Sequence, residues 1–285
     1  MPTQIVATRP HAHAAEAPVP AHVEAALSYI VPGVGKPVID ATLPGERVER
    51  NFSFAARKAR IANGRLLDSA ASLDREGFAM TRHETAVQDF RDEAEIEAIY
   101  YPEMVRLLKE ATGASRVLIF DHTLRIDAGD GLTDGQRRPP VRRVHNDYTE
   151  ASAPRRLADL LGSGVEPAGR RFAVINVWRP IRGPVLSAPL ALADAQSVEP
   201  RDLVAADLVY PDRTGEIYYA AYNPRHRWVY YPRMDSSEAL LIKGYDSLDD
   251  GRARFALHTA FDDPTTPPNA APRESIEVRA LVFFG

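Results

Sequence analysis

The C-terminal stretch from Arg273 to Phe284 constrains the fold of this chain more than any other. Successive side chains of an extended strand point to opposite faces. Ile276, Val278, Ala280, Val282 and Phe284 therefore share one face, and Arg273, Ser275, Glu277, Arg279 and Leu281 share the other. A wholly apolar face must be covered by a second layer. A face carrying two arginines and a glutamate must stay wet or be paired, because an isolated buried charge is costly. The pattern predicts a strand with helices on one side and a polar cavity on the other.

The rest of the chain supports a barrel or sandwich with flanking helices. Residues 25–85 contain only short strand candidates, Ile30-Val31, Val38-Ile39 and Phe78-Ala79-Met80, between Gly and Pro turns. Val87 to Thr112 is the clearest helical stretch, with Ile96, Ile99, Tyr100, Val105, Leu108 and Ala111 near helical spacing. Pro102 is expected to split it, and Gly113 to end it. Strands follow at Arg116–Arg125, Arg171–Trp178, Ala239–Lys243, Phe255–Thr259 and Ser275–Phe284, with a small helix at Arg155–Leu161. Glu216–Tyr222 and Arg227–Tyr231 read as a hairpin around the turn Asn223-Pro-Arg-His226. Helices first and many short strands afterwards give an α+β chain that is mainly β. Residues 1–24, rich in Ala, Pro and His, read as a flexible leader, and residues 25–285 as one domain.

Composition removes several chemistries. The chain has no cysteine, which excludes disulfides, thiolate metal sites and a cysteine nucleophile. Any metal must be held by His, Asp or Glu. The formal net charge of −4 argues against nucleic acid as a partner, and the run Arg137, Arg138, Arg142, Arg143 reads as a solvated loop. No apolar run approaches the ~20 residues of a membrane span, and the first residues lack the apolar core of a signal peptide. A cytoplasmic protein is the expectation. No nucleophile-elbow, phosphate-loop or dinucleotide glycine pattern is complete; Gly33-Val-Gly35-Lys36 is followed by Pro37 where a phosphate loop needs Ser or Thr.

The remaining chemistry lies in Val144-His145-Asn146-Asp147-Tyr148 and, far downstream, in Ala256-Leu257-His258-Thr259-Ala260. Two histidines and one carboxylate on one face of an octahedron leave three positions open, the arrangement of non-haem ferrous oxygenases. With 8 His and 39 acidic residues in 285, a His-x-Asp/Glu pattern arises about once by chance. It recurs at His22-Val23-Glu24, at the end of the leader. His226 competes with His258 for the third position, but Arg225 and Arg227 flank it. The strand with Arg273 and Arg279 follows His258 and offers a partner for a distal carboxylate. The aromatic residues Tyr218, Tyr219, Tyr222, Trp228, Tyr230 and Tyr231 are expected mainly in the core.

Several segments, in this order, carry a family resemblance: Tyr100-Tyr-Pro-Glu-Met, Phe120-Asp-His-Thr-Leu-Arg125, Val144 to Tyr148, Asn176-Val-Trp-Arg-Pro-Ile181, Lys243-Gly-Tyr-Asp-Ser247, Arg254 to Phe261 and Pro272 to Arg279. Together, over about residues 85–284, the chain resembles the gibberellin desaturase-like family, which includes a cephalosporin 7α-hydroxylase component. The resemblance implies a double-stranded β-helix (jelly-roll or cupin-like) core and an oxygenase using Fe(II), with 2-oxoglutarate and O2 as cosubstrates. It implies His145, Asp147 and His258 as iron ligands. Asn176 becomes a partner for the cosubstrate carboxylate near the metal. Arg179 and Lys243 become further candidates for substrate or cosubstrate. The far carboxylate falls to Arg279, on burial grounds, or to Arg273, with Ser275 adding a hydroxyl. The substrate would be a small molecule, hydroxylated or desaturated. A redox-neutral metal enzyme and a non-catalytic small-molecule-binding barrel are the rival readings.

Overall fold

The computed structural model describes residues 19–40, 42, 49–127, 137–162 and 171–285, so most of the expected leader lies outside the described residues. The strands are β1 (His22–Val31), β2 (Val38–Asp40), β3 (Glu49–Arg50), β4 (Ser53–Asn63), β5 (Phe78–Arg82), β6 (Arg116–Ile126), β7 (Arg137–Arg138) and β8 (His145–Asn146). They continue with β9 (Phe172–Pro180), β10 (Leu190–Ala193), β11 (Leu203–Val209), β12 (Thr214–Ala220), β13 (Trp228–Tyr230), β14 (Glu238–Asp246), β15 (His258–Ala260) and β16 (Glu274–Phe283). They form a ten-stranded sheet, β1-β4-β13-β10-β15-β8-β12-β11-β2-β3, and a six-stranded sheet, β5-β14-β9-β16-β6-β7. The two curl around each other as a double-stranded β-helix. β1 begins at His22, inside the stretch expected to be leader.

The six-stranded sheet explains the alternation of β16. Ile276, Val278, Ala280 and Val282 pack with Ile175, Val177 and Leu241 under the helical segment. That segment presents Ile96, Tyr100, Met104 and Leu108, each almost fully buried, to the sheet. Pro102 does not split it. A short helix α1 (Glu93–Glu95) runs through a π turn (Ile96–Tyr100) into α2 (Tyr101–Thr112). The Tyr101 N–H reaches back to the Ile96 carbonyl, so Pro102 enters at the first turn of α2, where its missing N–H costs little. Gly113 ends α2 with φ 70°, a left-handed conformation that suits glycine.

The expected hairpin is absent. β12 pairs with β11 and β8, whereas β13 pairs with β10 and β4. The turn between them is tied elsewhere: the Asn223 amide donates to Asp202, and His226 sits buried beside the same carboxylate. A third helix, α3 (Ser152–Leu161), covers the end of the barrel near Phe172, Tyr245 and Leu281.

Candidate metal centre

β8 and β15 are neighbours in the larger sheet, and His145 and His258 face each other directly across the pair. Their ring centroids lie 4.3 Å apart. β8 is only two residues long, and the chain leaving it returns the Asp147 carboxylate, with Oδ1 3.5 Å from His145 Nε2. One donor atom from each of His145, Asp147 and His258 lies within 4.8 Å of the others.

The imidazole tautomers follow from their partners. His145 Nδ1 is 2.7 Å from the Arg143 carbonyl and His258 Nδ1 is 3.0 Å from the Ala256 carbonyl. A carbonyl can only accept, so each Nδ1 carries a proton and each Nε2 is left to face the centre. Burial, and then the adjacent His145, push the His258 pKa down to about 4, which keeps its ring neutral at physiological pH.

Asp147 is held by its other oxygen. Oδ2 accepts from the Asn176 amide at 2.8 Å and from Arg279 Nε at 3.1 Å. Burial alone would raise this carboxyl. The Arg279 guanidinium outweighs it and holds the carboxyl well below the usual range. The arrangement leaves Oδ1 as the free donor, so the carboxylate can occupy one coordination position rather than two.

Arg279 is thus fully engaged. Besides Asp147 it donates to Asp121 at 2.9 Å, to Thr123 at 3.2 Å and to Glu277 at 3.3 Å. Its expected role as partner of a cosubstrate finds no free nitrogen face. Asn176 likewise spends both amide hydrogens on Asp147 and Glu277. Its place is behind the carboxylate ligand rather than in front of a cosubstrate.

Arg273 is the opposite case. It is 3 % exposed, donates to the Ala188 carbonyl at 2.5 Å and lies 5.5 Å from the Trp178 ring centroid. No carboxylate pairs with it among the described residues, its Nε has no partner, and the buried Ser275 hydroxyl on the same face has none either. Burial, and then the neighbouring Arg125, push the Arg273 guanidinium down to about 9. A cavity connects it to the centre, lined by Arg125, Trp178, Leu190, Glu277 and both histidines. Two orphaned buried donors lie at one end, and two imidazoles with a carboxylate at the other; the chemistry of these groups matches that of a dicarboxylic cosubstrate and a ferrous ion. The donor set, nitrogen and oxygen without sulfur, fits ferrous iron.

The other candidates sit elsewhere. Both nitrogens of His226 are used, Nδ1 with the Tyr29 hydroxyl at 3.2 Å and Nε2 with Asp202 at 3.1 Å. Arg179 points to the helix side, donating to the His83 and Ser236 carbonyls. Lys243 is buried in an ion-pair cluster with Asp74 and Asp246. His22 lies beside Arg60, and Glu24 pairs with Lys58. Trp228 and Tyr230 join the core, whereas Tyr222 is 43 % exposed. Glu277 and Arg125 were not singled out from sequence. The polar alternation of β16 already places Glu277 in the cavity, but nothing in Arg116–Ile126 marks Arg125.

A double-stranded β-helix with two imidazoles and a carboxylate inside it defines a class, the non-haem iron oxygenases. A family model described as an oxidoreductase/YMDC permease-like domain matches residues 27–283. The chain is 34 % identical over 285 residues to alpha-ketoglutarate-dependent dioxygenase phiK from a fungal species, covering 96 % of this chain and 100 % of phiK. It is 36 % identical over 236 residues to hydroxylase/desaturase efuI of Hormonema carpetanum, covering 75 % of this chain and 79 % of efuI. It superposes on the solved iron and alpha-ketoglutarate-dependent endoperoxidase NvfI with a TM-score of 0.85 and 29 % identity, over 93 % of this chain and 99 % of that one. The chain belongs to this family of Fe(II)- and 2-oxoglutarate-dependent hydroxylases and desaturases. No helix among the described residues is long and apolar enough to cross a membrane.

Proposed function

We propose that residues 25–285 act as one oxygenase domain that hydroxylates or desaturates a small molecule of secondary metabolism. His145, Asp147 and His258 hold Fe(II), and Arg273 with Ser275 holds the far carboxylate of 2-oxoglutarate. The observation that carries this reading is the pairing of a three-donor centre with a buried arginine lacking an anion at the other end of one cavity. The bound iron supplies the oxidative decarboxylation of the cosubstrate, coupled to oxidation of an unactivated carbon.

The chain's own residues do the rest. The Arg143 and Ala256 carbonyls fix both imidazole tautomers, and Asn176 with Arg279 turns Asp147 so that one oxygen faces the metal. Such outer partners typically contribute 10- to 100-fold in metal affinity. Trp178 and Leu190 give the cavity apolar walls, which keep water from the Arg273 carboxylate contact.

The test is a metal titration with Co(II) as the oxygen-stable probe, followed by succinate release with Fe(II) and 2-oxoglutarate. Wild type should bind one ion per chain and release succinate. His145→Ala, Asp147→Ala and His258→Ala should each lose metal while keeping the far-UV spectrum. Metal binding that survives all three substitutions, or turnover indifferent to 2-oxoglutarate, would overturn the assignment.

A further inference from the structure

A second depression, of about 640 Å³, has no part in the reading above. Val141 lines both this depression and the cavity between His258 and Arg273, so this residue stands between the two spaces. Arg143 also lines the depression, and its own carbonyl holds His145. The floor is aromatic. Phe52 and Phe54 meet edge to face at 5.3 Å, and Phe54 meets Tyr219 in the same way at 5.0 Å. Tyr219 is in turn the cross-strand partner of His145. The volume lies in the range of pockets that bury a small organic molecule.

Two guanidiniums stand over this floor. The guanidinium of Arg143 lies 4.9 Å, and that of Arg50 5.7 Å, from the Phe54 ring centroid. Neither is paired with a carboxylate among the described residues. Arg142, on the rim of the same depression, is different: it is bonded to both Asp127 and Asp262. Arg143 also hydrogen-bonds the Tyr219 hydroxyl, and over this aromatic floor the two guanidiniums offer donors that a ligand's carboxylate can meet.

We infer that this depression is the substrate subsite and that the substrate is a carboxylic acid with a flat apolar skeleton. This rests on the reading of the metal centre given above. The carboxylate sits between Arg50 and Arg143 in charge-assisted hydrogen bonds. The skeleton lies on Phe52 and Phe54, and the carbon to be oxidised reaches past Val141 toward His258.

The test uses 1-naphthoate and its uncharged counterpart 1-naphthylmethanol as probes, titrated calorimetrically into the full-length protein. Naphthoate should bind at least tenfold more tightly than the alcohol. Arg50→Gln and Arg143→Gln should each remove most of that preference, whereas Arg142→Gln should keep it. Arg50 is exposed, so Arg50→Gln is a safe variant for folding; far-UV spectra and thermal midpoints check both. Equal affinity for the two probes in wild type would overturn the inference. So would a preference that survives both Arg50→Gln and Arg143→Gln, since the carboxylate would then be bound at Arg273. Co(II) and 2-oxoglutarate titrations of the same wild-type protein keep the two readings apart. Normal binding of both, with no preference for naphthoate, sinks the acid subsite and leaves the metal centre standing.

Discussion

Replacing Arg273 and Arg279 by methionine should change stability in opposite directions, although the two arginines share one strand face. Burial moves Arg273 from its ordinary value down to about 9, a displacement that corresponds to roughly 5 kcal/mol against the charged form in the folded protein. The guanidinium remains charged at neutral pH, so the metal-free protein carries that cost. It is offset by the hydrogen bond to the Ala188 carbonyl, worth about 1.5–3 kcal/mol, and by the Trp178 face, worth about 1 kcal/mol. Methionine fills similar space without charge. Arg273→Met should therefore leave the metal-free protein as stable as wild type or about 1–3 kcal/mol more stable. Arg279→Met instead strands Asp147, Glu277 and Asp121 around an empty charge position, and should cost about 3–5 kcal/mol. Binding follows a different order. Arg273→Met should weaken 2-oxoglutarate by about 2–4 kcal/mol, or roughly 30- to 1,000-fold, with Co(II) affinity kept. Urea unfolding of the metal-free variants and calorimetric titration of 2-oxoglutarate onto the Co(II) forms measure both quantities. Equal destabilisation by the two substitutions, or native 2-oxoglutarate affinity in Arg273→Met, would refute the reasoning.

Further outcomes follow from the same contacts. His226→Ala should keep Co(II) binding yet lose about 1–3 kcal/mol of stability, because Tyr29 and Asp202 lose a buried partner; loss of metal in that variant would reopen the choice of the third ligand. The His258 pKa is depressed to about 4 in the folded chain and stands near 6.5 when unfolded, so the unfolded state binds the extra proton between those values. Stability of the metal-free protein should therefore fall as pH drops from about 6.5 to about 4, by on the order of 3 kcal/mol. Urea midpoints across that window should flatten in His258→Gln, and an unchanged slope would contradict the assignment of cause. Leu108→Ala, at a fully buried position under the six-stranded sheet, should cost about 2–5 kcal/mol in unfolding free energy without moving metal affinity.

The two arginines also show why some of this site could be read from sequence and some could not. Alternation is local: it assigned Arg273, Ser275, Glu277 and Arg279 to one face of β16, and the apolar partners Ile276, Val278, Ala280 and Val282 to the helix side. What separates Arg279 from Arg273 is not local. Its partners come from β6 in Asp121 and Thr123, and from the turn after β8 in Asp147. Burial was the sequence argument for Arg279, but both arginines are inside the protein; the presence or absence of an anion is what distinguishes them. The hairpin expected around Asn223 fails for a related reason. A turn motif specifies a change of direction, whereas strand pairing is decided by which edges the rest of the barrel offers, and β12 and β13 find theirs at β8 and β10. β4 was missed because Ser53–Asn63 is rich in Ala, Arg and Lys, residues that favour helices. Ten consecutive register pairs with β1 override that preference. The choice of His258 over His226 came from neighbouring charge, and the barrel supplies a stronger reason. His258 faces His145 across a strand pair, whereas His226 has already committed both nitrogens to Tyr29 and Asp202.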